Sequence, residues 1–239
     1  MSTPSEIMEL AHEFLKPLWT VYRLIHMVDV ALFPIPNAVS FPWIPYPLHV
    51  FEPRYRQMVR HCIEQEMMMG VCHTEKLLHN KSREQSVEEA LKSNQATYKT
   101  CEVFSAGPVI LLQELDDGRM LIQVDTQVRM QLREEQQTLP FSIWSAEELL
   151  DEPGPPGGET AMEQCKEKIL YRLLAITHNS EKLQTILKSD HWQAMPPQHF
   201  SFAVAGMLGM EADLAQNLLE MTDTRERLDI LLEIINEIA

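Results

Sequence analysis

Phe41-Pro42-Trp43-Ile44-Pro45-Tyr46-Pro47-Leu48-His49-Val50-Phe51-Glu52-Pro53-Arg54-Tyr55 joins a proline-held loop, a short strand and a helix start in one continuous stretch. Pro42, Pro45 and Pro47 each fix φ and remove a backbone donor, so the chain before Leu48 is expected to be extended but outside any regular element. Leu48 to Phe51 reads as a buried strand. Glu52-Pro53 reads as a helix start, with an acid at the positive helix end and proline at the first helical position. Beyond it Tyr55, Met58, Val59, Cys62 and Ile63 recur at helical spacing and predict a single stripe facing a core.

Just upstream, Leu32-Phe33-Pro34-Ile35-Pro36-Asn37 supplies a second strand-and-turn signal. The two stretches together resemble the amino-terminal, substrate-binding domain of the Lon ATP-dependent proteases, whose pattern is roughly FPLPN, then FPG, then PLHIFEPRYR. The resemblance continues through Asp117-Gly118-Arg119, Leu139-Pro140-Phe141 and Glu147 to Glu152. It returns at Leu218-Leu219-Glu220, Thr222-Asp223 and Glu226-Arg227-Leu228, so that roughly residues 28–239 are covered. It implies a PUA-like β pseudo-barrel. Trp43 stands where that family usually has glycine, and Thr126 replaces another usual glycine near the later strands.

Working outward, strand signals fill Val28 to Phe33, Met67 to His73, Thr100 to Ser105, Pro108 to Leu115, Arg119 to Asp125, Val128 to Arg133 and Phe141 to Ala146, with one helix at 53–66 among them. Asp117-Gly118 between two apolar runs predicts a hairpin with a type I′ turn. Residues 74–98 are polar and read as an excursion with a short helix at Val87 to Lys92. Asp151 to Gly158 is too dense in proline and glycine to continue any element. Thr160-x-x-Glu163 and Asp223-x-x-Glu226 then read as capping boxes opening helices, with further helical segments near 181–189, 197–208 and 211–220. Residues 5–26 carry Ile7, Leu10, Ala11, Phe14, Leu18, Tyr22 and Ile25 in an amphipathic pattern that Pro17 interrupts. The expected organisation is α+β: an N-terminal helical extension over 1–27, a PUA-like β domain over 28–150, a linker over 151–158 and a C-terminal helical bundle over 159–239.

At 239 residues and 45% hydrophobic content the chain has enough apolar surface for a core without staples, and its four cysteines have no paired spacing. A reducing, cytoplasmic setting is expected. No apolar run approaches membrane-spanning length. The net charge of −15 falls mostly after Cys101 and repels phosphate backbones and anionic membranes, so neither nucleic acid nor membrane is an expected partner.

Chemistry is sparse. No glycine is followed by lysine, so the phosphate-cradling loop of an ATPase is missing from this sequence. There is no nucleophile context of a peptidase, and His61-Cys62 and Cys72-His73 lack metal-ligand spacing. No catalytic residue, cofactor or metal is expected, and the chain is read as a non-enzyme. The aromatics Phe41, Trp43 and Tyr46 in the proline-rich loop, and Met67, Met68 and Met69, suit peptide recognition, since proline-held aromatics lose little entropy on binding and methionines adapt to varied partners. What the resemblance implies is therefore a non-catalytic polypeptide-binding module that recognises exposed apolar segments of unfolded or damaged protein, or another protein partner, or acts as an adaptor in protein quality control. Self-association through the N-terminal helix is a further expectation. The alternative is a PUA-like RNA-binding protein, which the acidic balance disfavours.

Overall fold

Strand-forming sequences with alternating burial build the front of the molecule, and apolar helices close its back. The structure is a computed structural model that describes residues 27–80, 96–155 and 157–238. The expected helices over 5–26 and at Val87 to Lys92 lie outside the described residues.

Among the described residues, ten strands and one helix come first. They are β1 (Met27–Pro34), β2 (Tyr46–Val50), α1 (Pro53–Glu64), β3 (Met68–Cys72), β4 (Thr74–Asn80), β5 (Ala96–Thr100), β6 (Val103–Gly107), β7 (Val109–Glu114), β8 (Met120–Val124), β9 (Val128–Gln137) and β10 (Ile143–Glu148). Six helices follow: α2 (Gly158–Ile176), α3 (Glu181–Leu187), α4 (Asp190–Ala194), α5 (Pro197–Leu208), α6 (Ala212–Glu220) and α7 (Thr224–Ile238). A closed barrel runs β1-β10-β9-β6-β3, sealed by the parallel pairing of β1 with β3, while β2-β8-β7 form a separate antiparallel sheet and β4-β5 a two-stranded one. None of the described helices is long and apolar enough to cross a membrane.

Four local differences from the sequence reading have physical causes. β2 begins at Tyr46 and contains Pro47, which is tolerated because β2 is an edge strand and a proline there can turn its nitrogen away from the ladder. Residues 74–80 and 96–100 pair as β4 and β5 rather than forming an irregular excursion. The β7–β8 connection is not a type I′ turn, since only Gly118 has positive φ (80°). Gly118 N–H donates to the Leu115 carbonyl and Leu115 N–H to Arg119, which is a type I turn closed by a left-handed glycine. Finally, α2 starts at Gly158 behind a left-handed Gly157, so Thr160 lies inside the helix rather than capping it. Asp223 does cap α7: its Oδ1 accepts from the backbone N–H groups of Arg225 (2.8 Å) and Glu226 (3.2 Å).

Three apolar clusters result. One fills the space between α1, the barrel and the β2-β8-β7 sheet, around Tyr55, Met58, Val59, Met69 and Ile122. A second occupies the other barrel wall around Leu32, Phe104 and Met130. The third is the helical core around Ile169, Phe200, Phe202, Leu228 and Leu231, and it takes in Phe41 and Val103 from the strand half.

The strand half and the helices are also joined by a buried charge cluster. Asp151 sits between Arg129 of β9 and Arg227 of α7, all three side chains nearly inaccessible to solvent. Arg129 Nη2 donates to Asp151 Oδ1 at 2.6 Å, and Arg227 donates to both carboxylate oxygens. The remaining donors are satisfied: Arg129 Nη1 reaches the Leu219 and Met221 carbonyls, Arg129 Nε the Leu149 carbonyl, and Arg227 Nε the Ser201 hydroxyl at 2.8 Å. Both guanidinium groups lie over the Phe202 ring, Arg227 at 3.9 Å and Arg129 at 5.3 Å.

Candidate functional site

The proline-held loop is placed by two anchors. Pro42 and Phe41 are buried, Phe41 against Phe202 in the helical core, with ring centroids 6.0 Å apart. Thr126, fully buried, brings its hydroxyl 2.9 Å from the Phe41 carbonyl and 2.5 Å from that of Ile44, and its own carbonyl accepts the Trp43 N–H at 2.6 Å. Ile44 then seats on α5 at Gly206, where a Cβ would stand 2.5 Å from its Cδ1.

Held this way, Trp43 adopts a left-handed backbone, φ 63°, which explains why glycine is usual there. Its indole remains 43% exposed and lies flat on His199 of α5, with centroids 3.6 Å apart. Burial keeps the His199 imidazole below its ordinary pKa, against the pull of Asp151, so the ring is neutral at pH 7 and stacks as an apolar plate. Removing the indole costs the stack in either variant, but only glycine relieves the backbone. Trp43→Gly is therefore expected to be more stable than Trp43→Ala by about 1 kcal/mol in urea unfolding. Equal midpoints would mean that the loop relaxes out of the left-handed region once the indole is gone.

The other recognition candidates scatter. Met69 is fully buried in the α1 core, Met67 packs half-buried on that same core, and Met68 faces the opposite barrel wall, as strand alternation demands. Tyr46 is half-buried, and burial raises its phenol pKa. Phe41 and Met69 therefore cannot contact a partner in this structure, because core packing claims them. Tyr46 and Met67 border the α1 core, Met68 the opposite wall, and Trp43 the α5 side of the helical core.

A groove that sequence reading missed lies at the barrel rim, with a volume of about 780 Å³. Tyr55, Leu139, Phe141 and Trp144 give it an apolar lining, and Arg54 and Glu102 stand among its polar groups. The wall is cross-tied: Trp144 Nε1 donates to Ser142 Oγ at 2.9 Å, Gln137 Nε2 donates to the Phe141 carbonyl at 2.9 Å, and Tyr55 packs on Phe33 with centroids 4.5 Å apart. Leu139 caps it, 77% exposed. Leu139-Pro140-Phe141 was visible as a motif, but nothing in the sequence connected it to Tyr55.

The groove offers shape and apolar contact. Burial pushes the Cys62 thiol up to about 12. The Cys165 thiol is pushed up to about 11 by burial and by Asp229, so both are protonated and unreactive at pH 7. No group of histidine, cysteine and acidic residues that could hold a metal ion occurs among the described residues.

Over residues 29–237 the chain matches the family described as the substrate-binding domain of ATP-dependent protease La (Lon). Two solved structures are similar to it. The Lon N-terminal domain protein from Xanthomonas campestris shares 16% identity at a TM-score of 0.53, over 86% of this chain and 98% of that one. The N-terminal domain of Mycobacterium avium complex Lon protease shares 12% identity at a TM-score of 0.61, over 88% of this chain and 99% of that one. At these identities the two structures speak to the fold.

Proposed function

The chain belongs to the Lon substrate-binding domain family, and from that premise we propose that it is a non-catalytic module that binds exposed apolar segments of other polypeptides, serving as an adaptor in protein quality control in the cytoplasm. The observation that carries this reading is the family match across nearly the whole chain. The rim groove supports it physically. An apolar lining with a polar border, held by hydrogen bonds at its back, binds extended chain without selecting one sequence, because its contacts are mainly area. Exposed Trp43 is a second aromatic anchor of the type that dominates interface energetics.

The test is capture of fluorescein-labelled β-casein by the full chain, followed by anisotropy. A Kd on the order of micromolar is expected, equivalent to about −8 kcal/mol. Leu139→Glu, which places a charge at the groove mouth on a side chain that is mostly in water, should weaken capture by about tenfold with the melting temperature unchanged. Absence of any binding by the wild-type chain would overturn the proposal. Wild-type affinity in Leu139→Glu would move the site away from the groove.

A further inference from the structure

Strand β7 is an edge: among the described residues it pairs with β8 alone. Asp125 N–H donates to the Pro108 carbonyl, so by antiparallel alternation Val109 and Leu111 point their N–H and C=O groups away from β8, toward the open side. The register shifts between Leu111 and Gln113, a bulge that ends the regular ladder there and keeps the open edge short.

That edge is apolar where edges are ordinarily charged. Ile110, Leu111 and Leu112 are 43%, 42% and 57% exposed. Helix α1 runs beside β7 in the opposite sense, since Arg56 Nη1 donates to the Gly118 carbonyl and Arg60 pairs with Glu114 at 2.6 Å. Ile63, 42% exposed and one turn beyond Arg60, therefore extends the strip alongside Leu111 and Leu112. Glu64 follows Ile63 in the chain, Glu66 and Asp116 lie just beyond the ends of α1 and β7, and all three are exposed, while Arg60 beside the strip is paired with Glu114, which leaves an acidic border.

We propose that the β7 edge takes an extended, apolar polypeptide segment with basic flanking residues as an added strand. Main-chain hydrogen bonds to Val109 and Leu111 supply affinity that does not depend on sequence, Ile63 and Ile110 to Leu112 supply apolar contact, and the acidic border selects lysine or arginine at the ends. A second copy of the chain is disfavoured by size. Four side chains, each about half exposed, fall short of the roughly 800 Å² per partner of a stable interface. The assignment rests on the polypeptide-binding reading but concerns a surface separate from the rim groove.

Three fluorescein-labelled peptides test it on the full chain: alternating valine and threonine flanked by lysines, the same peptide with every backbone nitrogen methylated, and the same core flanked by glutamates. The first should bind. The methylated peptide should lose about tenfold or more, because it cannot donate to the edge, and the glutamate peptide should weaken most at low salt. Leu111→Lys/Leu112→Lys should abolish the difference between the first two while β-casein capture through the groove persists. Equal binding of the methylated and parent peptides overturns the proposal using unaltered protein. So does a dimer in sedimentation that Leu111→Lys dissociates. Loss of β-casein capture by the wild type would instead count against the polypeptide-binding reading.

Discussion

Asp151→Ala is expected to destabilise the protein by about 3–5 kcal/mol, a large share of the roughly 5–15 kcal/mol by which ordinary domains are stable. The carboxylate lies between two guanidinium groups that are themselves almost wholly out of water. Deleting it strands two cations beside Phe202, in the seam between β9 and α7, where no other acid among the described residues pairs with them. Asp151→Asn keeps the shape but not the charge, and should fall between wild type and Asp151→Ala. Acid unfolding gives a second readout. Burial alone would raise the Asp151 pKa, but the hydrogen bonds and charge of Arg227, with Thr224 and Arg129, more than offset it and hold the carboxyl below its ordinary value. A folded pKa below the unfolded one means that this stabilisation is complete above about pH 4 and is lost as pH falls further. Urea midpoints of the wild type should drop below pH 4 more steeply than those of Asp151→Asn. Parallel pH profiles would show that the cluster contributes nothing through its charge.

This cluster also marks the boundary of what could be read from the sequence. Asp151 opens a stretch so rich in proline and glycine that composition makes it a solvated linker, and only the folded chain shows it buried. Arg227 appeared within a family-like tail motif, yet on a helix whose apolar stripe runs through Leu228, Leu231 and Ile235 an arginine reads as surface. Its partners are 26 residues away at Ser201 and 76 away at Asp151, a separation that periodicity cannot detect. Local signals did better. The Pro53 helix start, the Asp223 cap and the stripe over Tyr55, Met58, Val59 and Cys62 were legible because each depends on residues close in sequence, but Ile63, expected on the same stripe, lies at its margin and is exposed. The peptide-contact candidates differ in burial for the same reason. An aromatic among prolines has two uses, and the sequence alone did not separate Phe41, which closes the helical core, from Trp43, which faces outward. The rim groove needs α1, β9 and β10 in place at once, so no single window contains it.

Gly107→Ala is the second large effect, expected to cost about 3 kcal/mol or more and to leave much of the protein insoluble. Gly107 ends β6, and Pro108 alone separates it from β7, where the chain leaves the barrel for the β2-β8-β7 sheet. Its neighbours are tied to the opposing chain on both sides: Gln127 N–H donates to the Ala106 carbonyl at 2.8 Å, and Asp125 N–H to the Pro108 carbonyl at 2.9 Å. A Cβ at Gly107 would stand 1.8 Å from the Asp125 carbonyl oxygen and 2.6 Å from its carbon. Both are backbone atoms, so no rotamer change can make room, and relief requires breaking the two hydrogen bonds that align the sheets. Gly70→Ala is the informative contrast. Its Cβ would meet the Phe104 ring at 2.3 Å, a side chain that can turn, so the loss there should be smaller even though the site is buried. Urea unfolding of both variants decides the matter: if Gly107→Ala were the milder substitution, the close approach of β6 to Asp125 would not be what positions the two sheets.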